Sequence, residues 1–154
     1  MKKTLAALVV AGGAALAYAQ DLTIALSAPV SALDPHFHNL GPNLQVAKHV
    51  FESLVTSDEK QGLKPGLAES WKVVDELTWE FRLRRGVRWH DGSEFTAEDV
   101  AATFRRIPNV PNSPASFSLY TRAVTELSTP DRHTVRMKTA RPHPLLPNDL
   151  IAVL

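Results

Sequence analysis

Histidines are the first residues of this chain whose type and spacing suggest chemistry, because two imidazoles can share a metal ion. His36 and His38 stand two positions apart, so their side chains would lie on one face of an extended segment. No third ligand lies near them in sequence, and His49 and His90 have no partner at a metal-ligand spacing. The pattern falls short of a metal site, and surface hydrogen bonding or loop packing explains the two histidines more simply.

A second candidate group is His90-Asp91 with Glu94 close by, which has the residue types of an acid–base pair. Asp91-Gly92 is also a strong turn dipeptide, because Gly tolerates positive φ and Asp can bond its own backbone. No nucleophile, base and orienting group can be assembled from the chain. It contains no G-x-S-x-G, P-loop, H-E-x-x-H or dinucleotide-binding glycine pattern. We therefore expect neither catalytic residues nor a cofactor.

A β-hairpin precedes these groups and would position them. Apolar and polar residues alternate between Thr78 and Leu83, which is typical of a half-buried strand. Ser70–Val74 comes before it across a short Asp75-Glu76 corner, and Val87–His90 follows as a third short segment. The face that we expect to be buried carries Trp79, Phe81 and Leu83.

A helix is predicted after the Asp91-Gly92 turn, from Ala97 to Arg106. Thr96 is a suitable N-cap, and two acidic residues in the first turn suit the positive end of the helix dipole. Pro108 would end the helix. Its apolar stripe consists of Val100, Phe104 and Ile107.

The same stretch carries a family resemblance, on the residues S-W-K-V…T-W-E-F-R-L-R-R-G-V-R-W-H-D-G-S-E-F-T-A-E-D-V. It resembles the extracytoplasmic solute-binding proteins of peptide-type ABC importers (family 5), which include oligopeptide, dipeptide, glutathione and nickel-chelate binders. The resemblance extends to Val30–Pro35 and Pro65–Ala68, and so covers nearly all of the chain after residue 20. One departure is the hairpin corner, where Asp75-Glu76 replaces the Asp-Gly common in the family.

The resemblance implies an α/β (α+β) fold of the periplasmic-binding-protein type, in which two lobes close on a ligand. It implies a protein that captures peptides or similar small solutes and delivers them to an ABC permease in the inner membrane, as a monomer and without a cofactor or nucleic acid. Two alternatives stay open: a nickel-type metal-chelate binder of the same fold, and an envelope chemosensory binding protein.

Candidate ligand-binding residues also follow from the resemblance. By position, the loop at the cleft mouth corresponds to Ser27, Ala28, Pro29 and Val30, although a plain connection between strand and helix is an equal alternative. A second loop, after the Pro- and Asn-rich residues 109–116, reaches toward the cleft in the family. The aromatic candidates there are Phe117 and Tyr120, for which ordinary packing is the alternative.

Residues 1–19 have the features of a signal peptide. Lys2-Lys3 precede an apolar run from Leu5 to Leu16, and Ala17-Tyr18-Ala19 fits the small-x-small rule, so we expect cleavage after Ala19. An N-terminal membrane anchor is the alternative, but the run is short for a membrane span.

The chain has no Cys, which excludes disulfides and a lipid anchor on Cys. A soluble periplasmic protein is therefore predicted. Loss of Lys2 and Lys3 takes its formal charge from +1 to −1, which does not favour nucleic acid.

The remaining chain is predicted to form two parts. Residues 20–41 would hold a first strand, Leu22–Leu26, and the cleft loop, whereas residues 42–154 would form a satellite α+β domain that is incomplete at its C-terminal end. Because the resembled proteins are much longer, we expect an N-terminal fragment.

Further predicted elements are a helix at Pro42–Leu54 with Val50 on its apolar face, a strand at Leu54–Ser57, and a second hairpin of Ala123–Leu127 and His133–Lys138 across Thr129-Pro130-Asp131.

Overall fold

A computed structural model describes residues 22–154, so the predicted signal peptide lies outside the described residues. The described chain has the mixed helix and strand content that was predicted. None of its helices is long and apolar enough to cross a membrane. The elements are α1 (Gly41–Ala47), β1 (Val55–Ser57), β2 (Leu63–Pro65), β3 (Ala68–Asp75), β4 (Thr78–Leu83), α2 (Ala97–Arg106), α3 (Ser118–Thr121), β5 (Val124–Asp131), β6 (Thr134–Thr139) and α4 (Leu146–Asp149).

The main sheet has four antiparallel strands in the order β3-β4-β6-β5, and both predicted hairpins are confirmed. The hairpins join through β4 and β6, where Phe81 lies opposite Val135. One face of the sheet is buried, as the alternation in β4 predicts. Phe81, Leu83, Val135 and Met137 are buried on that face, and Trp79 is partly buried.

Helix α2 covers the apolar face of the sheet and has the predicted bounds. At its start the Thr96 amide donates to the Asp99 carboxylate at 2.7 Å, so the predicted cap is a capping box. The Asp91-Gly92 turn, which precedes the helix, is also as predicted. Gly92 has φ +88°, and the Asp91 carboxylate accepts from the Ser93 amide. Val100 and Ile107 are buried in the same core as the sheet residues, together with Leu146, Leu150 and Val153.

The predicted helix Pro42–Leu54 is wrong in length, since α1 ends at Ala47. The carbonyl oxygens of Ser53 and Leu54 accept from the amides of Leu67 and Ala68, so this part of the chain pairs with the start of β3. That pairing needs an extended backbone and overrides the helical periodicity. Val50, which was assigned to the apolar face of the helix, is 71% exposed.

Three further predictions need correction. Leu22–Leu26 forms no strand, because these residues have no pairing partner in the described part of the chain, and Leu22 is 83% exposed. The turn of the second hairpin lies at Arg132-His133, and residues 129–131 belong to β5, where a register shift accommodates Pro130. The first hairpin turns at Glu76-Leu77, one residue later than predicted, with the Asp75 carboxylate accepting from the Leu77 amide.

Candidate functional site

The predicted cleft loop is followed by a segment that α1 holds in place. The side chain of Asn43, which is buried, accepts from the Ser31 amide at 3.2 Å and donates to the Ser31 hydroxyl at 3.0 Å. The Ser31 hydroxyl also lies 2.8 Å from His38 Nδ1. Residues 27–30 therefore precede a fixed point, whereas their own side chains are exposed or half-buried.

A second fixed point lies at the C-terminal end of α2. The two terminal guanidinium nitrogens of Arg106, Nη1 and Nη2, donate to the Asp34 carboxylate, and Nη1 lies 2.7 Å from His36 Nδ1. The Arg106 guanidinium lowers the pKa of Asp34 below its ordinary value, so this carboxylate stays ionised. His36 is 4% exposed, and burial is the main cause that lowers its pKa. Its Nε2 lies 2.8 Å from the carbonyl oxygen of Leu154.

The two predicted ligand-binding regions are linked through residues 36–39. His38 forms a parallel bridge with Ala115, the Asn39 amide donates to the Ala115 carbonyl at 2.9 Å, and the Ser113 hydroxyl donates to the Phe37 carbonyl at 2.6 Å. The loop that precedes α3 thus lies alongside the segment that follows the cleft loop.

The aromatic candidates of that loop differ in accessibility. Phe117 is only 1% exposed, and its ring contacts the rings of His36 and Tyr120. Tyr120 is half-buried, and its hydroxyl lies 3.5 Å from Asn39 Nδ2. Phe117 therefore supports the loop from the core side, and Tyr120 is the aromatic candidate with an accessible face.

A cavity of about 680 Å³ lies between α2 and the turn at residues 87–95, and it is also lined by His36 and Leu154 of the second fixed point. Its walls are mainly apolar side chains, among them Phe51, Trp89, Phe95 and Phe104. None of the six predicted ligand-binding residues lines this cavity. Among residues 22–154, no group of three or more His, Cys, Asp or Glu side chains is arranged to hold a metal ion.

Comparison with known proteins decides the family. The family model described as bacterial extracellular solute-binding proteins, family 5 middle, matches residues 62–154, which is more than half of the chain. The chain belongs to this family.

Family 5 relatives resemble the chain over most of its length. The periplasmic oligopeptide-binding protein OppA of Escherichia coli K12 is 31% identical in an alignment 151 residues long, which covers 88% of this chain and 28% of OppA. The structure of the E. coli murein tripeptide-binding protein MppA matches with a TM-score of 0.68 and 28% identity, covering 78% of this chain and 27% of MppA. NikZ of Campylobacter jejuni in complex with Ni(L-His) matches with a TM-score of 0.60 and 30% identity, covering 68% of this chain and 21% of NikZ.

These matches confirm the predicted periplasmic-binding-protein-like fold, and the relatives are binding proteins. The chain spans between about a fifth and 28% of the length of these relatives.

Three residues that organise this site, Asn43, Asp34 and Arg106, were not among those predicted from the sequence. Asp34-Pro35 was recognised as part of the family pattern, but the partner of Asp34 lies 72 residues later. Nothing local in the sequence marks such a pair. The one available indication was an Asp directly before Pro, which favours a side-chain-bonded turn, and Asp34 does accept from the His36 amide at 2.9 Å.

Proposed function

We propose that this family 5 chain is part of a periplasmic solute-binding protein that captures peptides or similar small solutes and delivers them to an ABC permease in the inner membrane. The observation that carries the proposal is the similarity to OppA and MppA, which are named as oligopeptide- and murein peptide-binding proteins and as periplasmic. The predicted signal peptide supports export, and the protein would act as a monomer.

The proposed ligand contacts are Ser27, Ala28, Pro29 and Val30 of the cleft loop and Tyr120 of the second loop. Phe117, which is buried, supports Tyr120 from the core side. Peptide binders gain affinity from main-chain hydrogen bonds, which an extended loop backbone can supply. In this proposal residues 20–41 belong to the ligand-binding lobe and residues 42–154 to the satellite domain. Ligand would bridge two lobes and shift an equilibrium between open and closed forms.

A nickel chelate is the second candidate ligand, because NikZ with Ni(L-His) is among the similar structures. His36 is not free to coordinate such a chelate, since both of its ring nitrogens have partners. One ring nitrogen of His38, Nδ1, is hydrogen-bonded to the Ser31 hydroxyl. In this alternative the metal would therefore arrive already held by its chelator, and His38 would be the nearby side chain to test.

A thermal-shift comparison separates the two candidates. The product of the complete reading frame that contains these residues is heated with tripeptides, with nickel–histidine, and with histidine alone as the control. We expect the peptides to raise the melting temperature, because a ligand that binds only the folded state stabilises it. A rise with nickel–histidine alone, reduced by His38→Ala, would favour the chelate binder. No rise with either ligand would contradict both candidates.

A further inference from the structure

One guanidinium joins the segment after the cleft loop to helix α2. Arg106 Nη1 lies 3.0 Å from Asp34 Oδ1 and 2.7 Å from His36 Nδ1, and Nη2 donates to Asp34 Oδ2. Such a two-pronged pair fixes direction as well as distance, because both the guanidinium and the carboxylate are planar. Two side chains of the segment therefore share one anchor at the end of helix α2.

The contacts of His36 define which of its nitrogens carries a proton. Arg106 is always a donor, so His36 Nδ1 must accept. Nε2 then carries the proton and donates to the Leu154 carbonyl oxygen, at 2.8 Å. The ring is thus neutral. A second proton on Nδ1 would place two cationic N–H groups against each other at a buried position.

The cleft loop depends on its neighbours for position. Within the part of the chain that the structure describes, residues 27–30 make no hydrogen bond of their own. The first contacts after them are those of Ser31 with Asn43, followed by those of Asp34 and His36 with Arg106. Movement of the segment from Ser31 to His36 would therefore move the loop.

We propose that Arg106 is a positioning residue for the cleft loop, residues 27–30. It acts through Asp34 and His36, and its hold requires neutral His36. That the cleft loop binds ligand rests on the proposed function. The clamp formed by Asp34, His36 and Arg106 is observed in the structure and does not rest on it. Of the groups that contact His36, Asp34 and Arg106 carry charge, Phe117 contributes an aromatic ring, and Leu154 contributes a carbonyl oxygen. The cavity that His36 lines also carries four ionisable side chains, Glu52, Arg88, His90 and Asp99.

Acidification below about pH 6.5 should therefore weaken the clamp. Burial lowers the pKa of His36 below its ordinary value of 6.5, so the folded chain binds fewer protons than the unfolded chain as pH falls below that value. The stabilisation by neutral His36 is therefore complete above about pH 6.5, and it is lost as pH falls from there toward the lowered pKa of the folded chain. Asp34 stays ionised throughout, because Arg106 lowers its pKa below 3.8.

Hydrogen exchange of backbone amides tests the proposal without any ligand. The amides of Ser31, His36 and Phe37 are followed in the product of the complete reading frame, in Arg106→Gln, and in Arg84→Gln as the control. Arg84 makes a similar two-pronged pair with Glu52 and is exposed to the same degree, 45% against 46%. We expect these amides to exchange about tenfold faster in Arg106→Gln only, with the amides of β4 and β6 unchanged.

Lowering the pH from about 7.5 to about 5 should accelerate the same amides in the wild type, after correction for intrinsic exchange, and less so in His36→Gln. Arg106→Lys should restore part of the protection, and it replaces Arg106→Gln if that variant does not fold. Equal acceleration of β4 and β6 would overturn the proposal, because Arg106 would then support the whole fold. Unchanged exchange would overturn it as well. Peptide binding is not measured in this experiment, so its outcome is independent of the proposed solute.

Discussion

The rings of His36 and Phe117 meet edge to face, with centroids 6.2 Å apart and an angle of 68° between their planes. This contact lies on the core side and joins the segment after the cleft loop to the second predicted ligand-binding loop. Phe117 is therefore a packing residue in this structure, which is the alternative that the sequence left open. Its proposed contribution to ligand binding is indirect, through the loops that it supports.

Truncating Phe117 should destabilise the fold much more than truncating its neighbour. Phe117→Ala removes a buried ring and should lower the free energy of unfolding by about 3–5 kcal/mol. Leu119→Ala is the matched control, because Leu119 is exposed and should change it by less than about 0.5 kcal/mol. Urea denaturation measures both variants. Equal effects would show that Phe117 is not buried as described.

Protonation of Glu80 should destabilise the folded chain in acid. It lies on the polar face of the sheet, where Arg136 holds its carboxylate at 2.8 and 2.9 Å and Lys72 lies 3.4 Å away. These hydrogen bonds, chiefly that from Arg136, lower the pKa of Glu80 below 4.5. The stabilisation is therefore present above that value and is lost as pH falls through the lowered pKa.

Urea midpoints between neutral pH and about pH 3 measure this effect. Glu80→Gln should be less stable than the wild type at neutral pH and should show a shallower decline in acid. Glu126→Gln is the control, because Glu126 is exposed and lies on the edge strand β5. If Glu80→Gln and the wild type declined in parallel, the ion pair would not contribute to acid stability.

Gly66 should not tolerate a side chain. A Cβ at this position would lie 2.3 Å from the Ser53 carbonyl oxygen and 2.9 Å from Thr56 Cγ2. Gly66→Ala should therefore cost about 1–3 kcal/mol or more, because the backbone between Ser53 and β1 would have to move. Gly41→Ala, where nothing lies within 4 Å, should be neutral or stabilising by up to about 1 kcal/mol. Thermal and urea denaturation would detect the difference, and similar stabilities would contradict the close approach.

The parts of the fold that were predicted correctly depend on neighbours in sequence. The alternation around Phe81, the Asp91-Gly92 turn and the cap at Thr96 all depend on residues within a few positions of one another. The family resemblance then supplied the fold class and the candidate loops.

The parts that were missed depend on residues that are far apart in the chain. Helix α1 stops at Ala47 because residues near Ser53 pair with the start of β3, and its periodicity contains no trace of that pairing. Arg106 is one of 17 Lys and Arg residues, and only the folded chain places it against Asp34 and His36. Long-range pairing of this kind is set by tertiary structure, so a local pattern does not reveal it.

Calorimetric titration of the complete reading-frame product with tripeptides tests the central claim, that this family 5 chain belongs to a peptide-capturing protein. We predict saturable binding of about one peptide per protein, weakened when Pro29 and Val30 are replaced by Gly. The 154 residues alone should bind no peptide, because the chain spans only 28% of the length of OppA and a two-lobe cleft needs both lobes. Micromolar peptide binding by the 154 residues alone, or no peptide binding by the complete product, would contradict the account.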